Sequence, residues 1–256
     1  MIRIDFCNPC QIGAAEGCCA LRCAFDTPQQ TLVAHTVAQV KPLLNVVDSL
    51  ARQGLWCVGY VRYEAASAFD AALGTHPADG PLAWFGVFRQ ALPWPESSPI
   101  NAATTATHVA WHSTLSRPEF DAQLAHIHQA IAAGTLYQVN YTAPLIGDFS
   151  GLALHLFERL QRAQPGGYAA YIDTGDEQVL SVSPELFFDW QDGHILTRPM
   201  KGTAPRGASP SEDQSLITGL LLRIDQGSDG AFARRVWRVR HRHRTYLRGS
   251  TEQQKH

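Results

Sequence analysis

Lysine is scarce in this chain of 256 residues, which contains only Lys41, Lys201 and Lys255. An apolar run of the roughly 18 residues needed to span a bilayer is also missing. The first residues lack the basic and then apolar pattern of a secretory signal peptide. The charges nearly cancel, with 21 Lys and Arg against 23 Asp and Glu, so nucleic acid and anionic membranes are not expected partners. We therefore expect a cytoplasmic protein that does not bind membranes.

Cysteine is unevenly distributed, because five of the 6 cysteines lie within the first 23 residues. Cys7 and Cys10 have the spacing of a zinc-binding pair, but Cys18, Cys19 and Cys23 do not form a matching second pair. In a cytosolic protein such residues are usually reduced thiols. We expect thiols here rather than a zinc site or a disulfide framework.

The hydrophobic fraction of 45% is enough for one large domain or two small ones. Apolar residues at helical spacing predict helices, and alternating or β-branched runs predict strands. Three helices are predicted. The first covers residues 31–52, the second starts at the capping box of Ser116 and Glu119 and ends at Gly134, and the third covers residues 152–164. Strands are predicted over residues 56–64, 83–89, 136–142, 168–172 and 179–182. This order favours an α+β fold of mixed, largely antiparallel β-sheets with flanking helices.

A hairpin is predicted around Asp192-Gly193, a dipeptide typical of tight turns between antiparallel strands. Its strands cover residues 186–190 and 194–200, and the second strand runs into Pro199-Met200-Lys201-Gly202-Thr203. Gly202 has no side chain, so a ligand can approach the backbone there closely. An amine in a partly dry site becomes less basic and can act as a nucleophile. The alternative is an ordinary lysine at the end of a strand.

Glu185 precedes the first strand of this hairpin, and Lys201 follows the second. Because the open ends of a hairpin lie side by side, we expect the two residues to be neighbours. A carboxylic acid beside an amine suits a reaction in which the amine attacks a ring carbon while the acid protonates a leaving hydroxyl. A surface ion pair across the hairpin is the alternative, and the spacing does not separate the two interpretations.

Three motifs together resemble the chorismate-binding, anthranilate synthase component I-like family. They are Gln138-Val139-Asn140, Ser183-Pro184-Glu185-Leu186-Phe187 and Pro199-Met200-Lys201-Gly202-Thr203, in the order and spacing of that family. Gly59-Tyr60, Tyr63-Glu64 and Trp84-Phe85-Gly86 are similar to its amino-terminal region, so the resemblance runs from about residue 20 to about Gly207. It implies the first half of the family's α/β sandwich.

The resemblance also implies a reaction. Lysine at position 201 is typical of the branch that forms aminodeoxychorismate, whereas anthranilate and isochorismate synthases usually have a small residue there. Lys201 would then attack C2 of chorismate while Glu185 protonates the leaving C4 hydroxyl, and ammonia would displace the lysine by attacking C4. Gly202 and Thr203 would bind the substrate through the backbone. Anthranilate or isochorismate synthesis is the alternative within the family.

Partners and cofactors follow from the same resemblance. The family takes ammonia from a glutamine amidotransferase, component II, and uses Mg²⁺ to bind the substrate carboxylate. The product is the precursor of 4-aminobenzoate in folate biosynthesis. The family's metal ligands lie in its second half and cannot be located in this chain, so the sequence predicts no metal-binding residues here.

The last part of the chain departs from the family. Residues 1–207 correspond to the amino-terminal half of the chorismate-binding fold, whereas residues 208–256 form a divergent, arginine-rich tail. The segment from Arg234 to Arg248 contains seven arginines and no acidic residue. We interpret the tail as the product of a frameshift or truncation rather than as a nucleic-acid-binding segment. The chain alone is then expected to be inactive or nearly so, and a non-catalytic interaction module is a further alternative.

Overall fold

The structure is a computed structural model that describes most of the chain. The described residues are 1–6, 21–95, 107–164, 167–191, 194–198, 207–226 and 236–238. Several predictions concern residues outside these ranges, namely the zinc-like pair Cys7 and Cys10, the Asp192-Gly193 turn and the site residues Lys201, Gly202 and Thr203.

The described part of the chain contains both helices and strands. The strands are β1 (Ile2–Phe6), β2 (Leu21–Phe25), β3 (Gln30–Ala34), β4 (Trp56–Val61), β5 (Ala83–Phe88), β6 (Leu92–Pro93), β7 (His108–Ser113), β8 (Leu145–Ser150), β9 (Tyr168–Asp173), β10 (Gln178–Ser183), β11 (Leu186–Gln191), β12 (His194–Arg198) and β13 (Val236–Arg238). The helices are α1 (Val37–Arg52), α2 (Arg117–Ala132), α3 (Ala153–Ala163) and α4 (Pro210–Gln226), with a 3₁₀ helix at Tyr63–Ala68. No described helix has both the length and the apolar character needed to cross a membrane.

The chain divides into two compact units. The first unit comprises Met1–Arg3, Cys23–Ala163 and Tyr171–Leu180, and the second comprises Ile4–Arg22, Gln164–Ala170 and Ser181–His256. The strands form a five-stranded sheet of order β10-β9-β1-β2-β6, two three-stranded sheets and the pair β7-β8. The predicted α+β class with antiparallel sheets is confirmed.

The core of the first unit lies between α1, the 3₁₀ helix and the antiparallel sheet β3-β5-β4. Small and branched side chains pack there because alanines allow the helices to approach the sheet closely. The buried members of this cluster are Ala34, Val40, Leu43, Ala65, Leu82 and Ala83. Helix α1 contains Pro42 without being divided, and it ends before Gly54, whose φ of 84° is the left-handed conformation that glycine adopts readily.

Residues 31–34 were predicted as the start of a helix, and that prediction is wrong. They belong to β3, in which Leu32 pairs with Phe85 and Val33 pairs with Trp84. The helix begins only after Thr36, where the Gln39 side chain accepts hydrogen bonds from the backbone N–H groups of His35 and Thr36. Pairing with β5 supplies hydrogen bonds that outweigh the local helical spacing.

The predicted strand over residues 136–142 is also wrong, since this segment is irregular. Tyr137 is 92% exposed there, and within the described ranges the segment pairs with no strand. An alternating pattern produces a strand only where a partner supplies its hydrogen bonds. The strand instead forms at β8, which pairs with β7.

Several other predictions are confirmed. Helix α2 starts at the predicted capping box, in which Ser116 N–H donates to Glu119 at 2.8 Å, and its end precedes Gly134 with a φ of 72°. The predicted helix over residues 152–164 is α3. Its Phe157 is fully buried and packs against Tyr171, with ring centroids 5.7 Å apart.

The turn between β9 and β10 contacts β4 within the first unit. Glu177 on this turn accepts hydrogen bonds from the Tyr60 hydroxyl and from Nη2 of Arg62. Tyr60 also stacks on Trp84, with ring centroids 6.5 Å apart. Burial, reinforced by the adjacent Glu177 carboxylate, raises the pKa of Tyr60 to about 12.

The second unit contains the antiparallel sheet β11-β12-β13, with β12 in the middle. The pair β11 and β12 confirms the predicted hairpin, and Gln191 lies opposite His194. Strand β13 comes from the segment interpreted as a divergent tail, and its Trp237 pairs with Ile195 of β12.

We expect Gly59→Ala to destabilise the first unit. A Cβ at Gly59 would overlap the Trp84 carbonyl oxygen and lie 2.7 Å from Cα of Phe85, so β4 and β5 would have to separate. Such overpacking costs about 1–3 kcal/mol in the free energy of unfolding, measurable by urea denaturation. Gly74→Ala is the matched control, since a Cβ there meets nothing within 4 Å. Equal stability of the two variants would contradict this view of the sheet.

The raised pKa of Tyr60 predicts how stability changes at alkaline pH. A pKa raised from 10.0 to about 12 means that the folded state favours the neutral Tyr60 phenol. The contribution of Tyr60 to the free energy of unfolding is therefore fully present below pH 10 and is lost as pH rises towards 12. Glu177→Gln should lower the pKa of Tyr60 towards 10 without reaching it, because burial remains. Spectrophotometric titration of tyrosinate measures this shift. Asp176→Asn, in the same turn, should leave the titration unchanged.

Candidate functional site

Glu185 lies in a short turn that joins β10 to β11. The Ser183 hydroxyl accepts a hydrogen bond from Glu185 N–H at 3.2 Å and donates one to the Glu185 carbonyl at 2.9 Å. Serine commonly fixes turns by bonding to backbone groups two residues on. A Cβ at Gly167 would lie 2.6 Å from the Ser183 carbonyl oxygen, so glycine permits this close passage of the chain. These contacts fix the backbone position of Glu185.

The hairpin register places the chain before Lys201 beside Glu185. Leu186, the residue after Glu185, is the partner of Arg198, and Lys201 follows Arg198 by three residues in the sequence. The predicted adjacency of the two open ends is therefore confirmed as far as the described residues extend. The contact between the Glu185 carboxylate and the Lys201 amine stays a prediction, as do the substrate-binding roles of Gly202 and Thr203. Glu185 is described, but residues 201–203 lie outside the described ranges.

The first strand of the hairpin carries exposed aromatic rings next to Glu185. Phe187 is 86% exposed, and its ring lies 5.2 Å from that of Phe188. Trp190 on the same strand is also exposed. Large rings are normally buried, so exposed rings grouped together indicate a contact surface. The sequence analysis assigned these residues to a strand, and Phe187 also to a family motif, although three aromatic residues within five positions of Glu185 were a usable signal.

The first unit contains a pocket that the sequence interpretation did not predict. It is open to solvent, has a volume of about 390 Å³ and is lined by residues that include His35, Glu64, Ser67, Thr75 and His76. The Thr75 hydroxyl donates to the Glu64 carbonyl at 3.3 Å. Glu64 belongs to Tyr63-Glu64, one of the motifs that resemble the family.

The described cysteines are free thiols, as predicted for Cys23. Burial raises the pKa of both Cys23 and Cys57, so the protonated thiol predominates at neutral pH. A protonated thiol is a poor nucleophile and a poor metal ligand. These two residues are therefore not candidates for catalysis.

The family resemblance implies a bound Mg²⁺. Mg²⁺ prefers oxygen ligands from one or two carboxylates together with water or substrate. Within the described ranges, His, Cys, Asp and Glu form no group of three or more that could hold a metal ion. The described residues thus do not fit the Mg²⁺ that the resemblance implies.

The chain is similar to proteins that are named for two different activities. Aminodeoxychorismate synthase component 1 of Salmonella typhimurium is 32% identical over 139 residues, which are 54% of this chain and 29% of that protein. Anthranilate synthase component 1 of Methanothermobacter thermautotrophicus is 28% identical over 185 residues, covering 64% of this chain and 40% of that protein. The chain thus spans well under half the length of these relatives.

A solved structure has the same fold. The crystal structure of a 2,3-dihydroxybenzoate-specific isochorismate synthase from Bacillus anthracis matches with a TM-score of 0.54 and 15% sequence identity. The match covers 79% of this chain and 51% of the other. At this identity the likeness concerns the fold alone.

A family model supplies the broadest match. The model for chorismate binding enzymes matches residues 5–223, so the match continues past Gly207 into α4. In that part of the chain the acidic side chains of Glu212 and Asp213 accept hydrogen bonds from the backbone N–H groups of Ala208 and Gly207. Since the match extends over most of its length, the chain belongs to the family of chorismate binding enzymes.

Proposed function

We propose that this chain supplies the amino-terminal half of an enzyme that converts chorismate and ammonia into 4-amino-4-deoxychorismate. The observation that carries the proposal is the hairpin register, in which Leu186 pairs with Arg198. Lys201 follows Arg198 by three residues in the sequence, and three residues of chain span at most about 11 Å. A lysine side chain can reach across such a hairpin end towards Glu185.

The proposed chemistry has two displacements. The neutral Lys201 amine forms a bond to C2 of chorismate as the bond from C4 to its hydroxyl breaks, and Glu185 donates the proton that turns the leaving hydroxyl into water. Ammonia then forms a bond to C4 while the bond from C2 to the lysine nitrogen breaks. Loss of a proton from the new ammonium completes the amination. The exposed rings of Phe187 and Phe188 offer an apolar surface beside the acid for the substrate ring.

The names of several relatives support amination of chorismate as the reaction. Several similar proteins are named aminodeoxychorismate synthase component 1, and the word component implies a second polypeptide. We propose that this partner is a glutamine amidotransferase that supplies ammonia, and that Mg²⁺ is bound by the part of the fold that the relatives have in addition. The chain alone is then expected to have little activity.

Anthranilate synthesis is a second candidate. The alignment with the Methanothermobacter thermautotrophicus anthranilate synthase component 1 covers 64% of this chain, a larger share than the 54% covered by the Salmonella typhimurium relative. The position of Lys201 favours amination at C4, because a covalent lysine at C2 directs ammonia to the other end of the allylic system. Identification of the product by mass spectrometry separates the two candidates and also detects isochorismate.

Lys201→Ala should abolish amination in a completed enzyme. We suggest a chimera in which residues 1–223 are followed by the carboxy-terminal part of the Salmonella typhimurium relative, assayed with chorismate, ammonium and Mg²⁺. Because the amine is the proposed nucleophile, kcat/KM should fall at least about 10³-fold. Lys41→Ala, an exposed lysine on α1, is the matched control and should keep full activity. Retention of activity by Lys201→Ala would exclude the covalent route, and loss of it excludes a purely non-catalytic module.

Glu185→Gln should lower the rate of the same chimera by about 10²–10⁴-fold, the usual contribution of a general acid. The amide keeps the size of the side chain but has no proton of suitable acidity to donate. Asp189→Asn, an exposed acid on the adjoining strand β11, serves as control and should have little effect. An equal loss in both variants would indicate that charge on the hairpin matters rather than proton donation by Glu185.

A further inference from the structure

The backbone of Glu185 is held from one side by a single serine hydroxyl. Ser183 Oγ accepts a hydrogen bond from Glu185 N–H and donates one to the Glu185 carbonyl, so it binds both backbone groups of the same residue. Serine forms the first of these bonds in many turns. The second bond also fixes the direction of the hydroxyl hydrogen, because a hydroxyl has only one to donate.

The serine itself stands on a closely packed part of the second unit. Ser183 is the last residue of β10, and the buried Gly167 passes beside it. A Cβ at Gly167 would lie 2.6 Å from the Ser183 carbonyl oxygen, a distance that real Cβ atoms do not tolerate. The hydroxyl that holds Glu185 is therefore attached to a backbone position that has little room to move.

Two further features fix the chain around Glu185. The ring of Pro184 restricts its φ to about −65°, and Leu186 pairs with Arg198 of β12. The Glu185 side chain is nevertheless exposed. Turn residues at the surface are usually among the most variable and mobile parts of a fold. Such close control of the backbone of an exposed residue points to a requirement on where its side chain lies.

We propose that Ser183 is a positioning residue, whose hydroxyl holds Glu185 where its carboxylic acid can protonate the leaving C4 hydroxyl. The inference rests on the proposed function, in which Glu185 is the general acid. A general acid must lie within about 3 Å of the atom that it protonates. A misplacement of about 1 Å can lower a rate about 10²-fold, so the backbone position of Glu185 matters.

Ser183 takes no covalent part in the reaction. Its hydroxyl hydrogen is donated to the Glu185 carbonyl, and the proton that reaches the leaving group comes from the Glu185 carboxylic acid. The serine therefore acts only through Glu185. The alternative is a serine that merely stabilises the turn, whose loss would affect folding and not the proton transfer.

Ser183→Ala should lower the rate of the chimera that is used for Glu185→Gln. Because the acid is misplaced while the substrate keeps its other contacts, kcat should fall about 10- to 100-fold and KM should change less than about twofold. Ser183→Thr keeps a hydroxyl and should retain at least about half of the rate. Ser181→Ala is the matched control, since this exposed serine lies on the same strand, and it should keep full activity.

A double-mutant cycle separates positioning from a general structural role. If Ser183 acts through the carboxylic acid, Ser183→Ala should change kcat less than about twofold in the Glu185→Gln background, because no acid is left to misplace. A serine that only stabilises the turn would lower the rate by the same factor in both backgrounds. The ratio of the two factors measures the coupling between Ser183 and Glu185.

Hydrogen exchange in the whole 256-residue chain measures the anchor without any reaction. Ser183→Ala should speed exchange of the Glu185 amide about tenfold, and Ser183→Thr should keep it protected. Urea denaturation establishes that each variant is folded. If Ser183→Ala failed to fold, Ser183→Cys would replace it, since a thiol has a similar size but forms only weak hydrogen bonds.

The results that overturn the inference differ from those that overturn the proposed function. If Glu185→Gln lowers the rate but Ser183→Ala does not, or if Ser183→Ala has the same effect in both backgrounds, Ser183 does not position the acid. Unchanged exchange of the Glu185 amide would exclude the anchor itself. An unmodified chimera that forms no product, or a Glu185→Gln variant that is equally active, overturns the proposed function and the inference with it.

Discussion

Pairing of β5 with both β3 and β4 is the interaction on which the described core of the first unit depends. Strand β4 pairs with β5 from Ala83 to Phe88, and β3 pairs with it from Ala83 to Val87. Close approach of β4 requires the absence of a side chain at Gly59, which faces the Phe85 backbone. The sheet so formed offers the surface against which α1 and the 3₁₀ helix bury Val40, Leu43 and Ala65. Without this sheet, α1 would have no apolar layer to pack on.

Packing quality differs sharply along the chain. The sheet β3-β5-β4 is covered by helices, whereas the ladder β7-β8 and strand β11 expose Trp111 and Phe187 to solvent. Apolar surface of this size is costly in water and usually marks a contact region. For the rings of β11 beside Glu185, the contact that we propose is with the substrate ring.

Sequence patterns predicted best where the signal was local. The capping box of Ser116 and Glu119 marked the start of α2, because it satisfies backbone N–H groups within one helical turn. The hairpin of β11 and β12 followed equally from a short turn signal between two apolar runs. Residues 31–34 were predicted as helix but form a strand that pairs with β5, and residues 136–142 were predicted as a strand but are irregular. Both local patterns failed because the availability of a pairing strand determines whether a strand forms. Of the candidate site, Glu185 was found from the sequence, but the exposed rings of β11 were not.

The sequence by itself determined the family, because the motifs around Glu185 and Lys201 are short, contiguous and independent of how distant segments meet. It also determined most helix ends, which depend on hydrogen bonds between residues three or four apart. Only the tertiary structure decided how the strands other than the β11-β12 hairpin pair, that Glu177 contacts Tyr60 and Arg62, and that Trp111 on β7 is exposed. These features depend on contacts between residues far apart in the chain, and no local pattern specifies which of several apolar segments will form them.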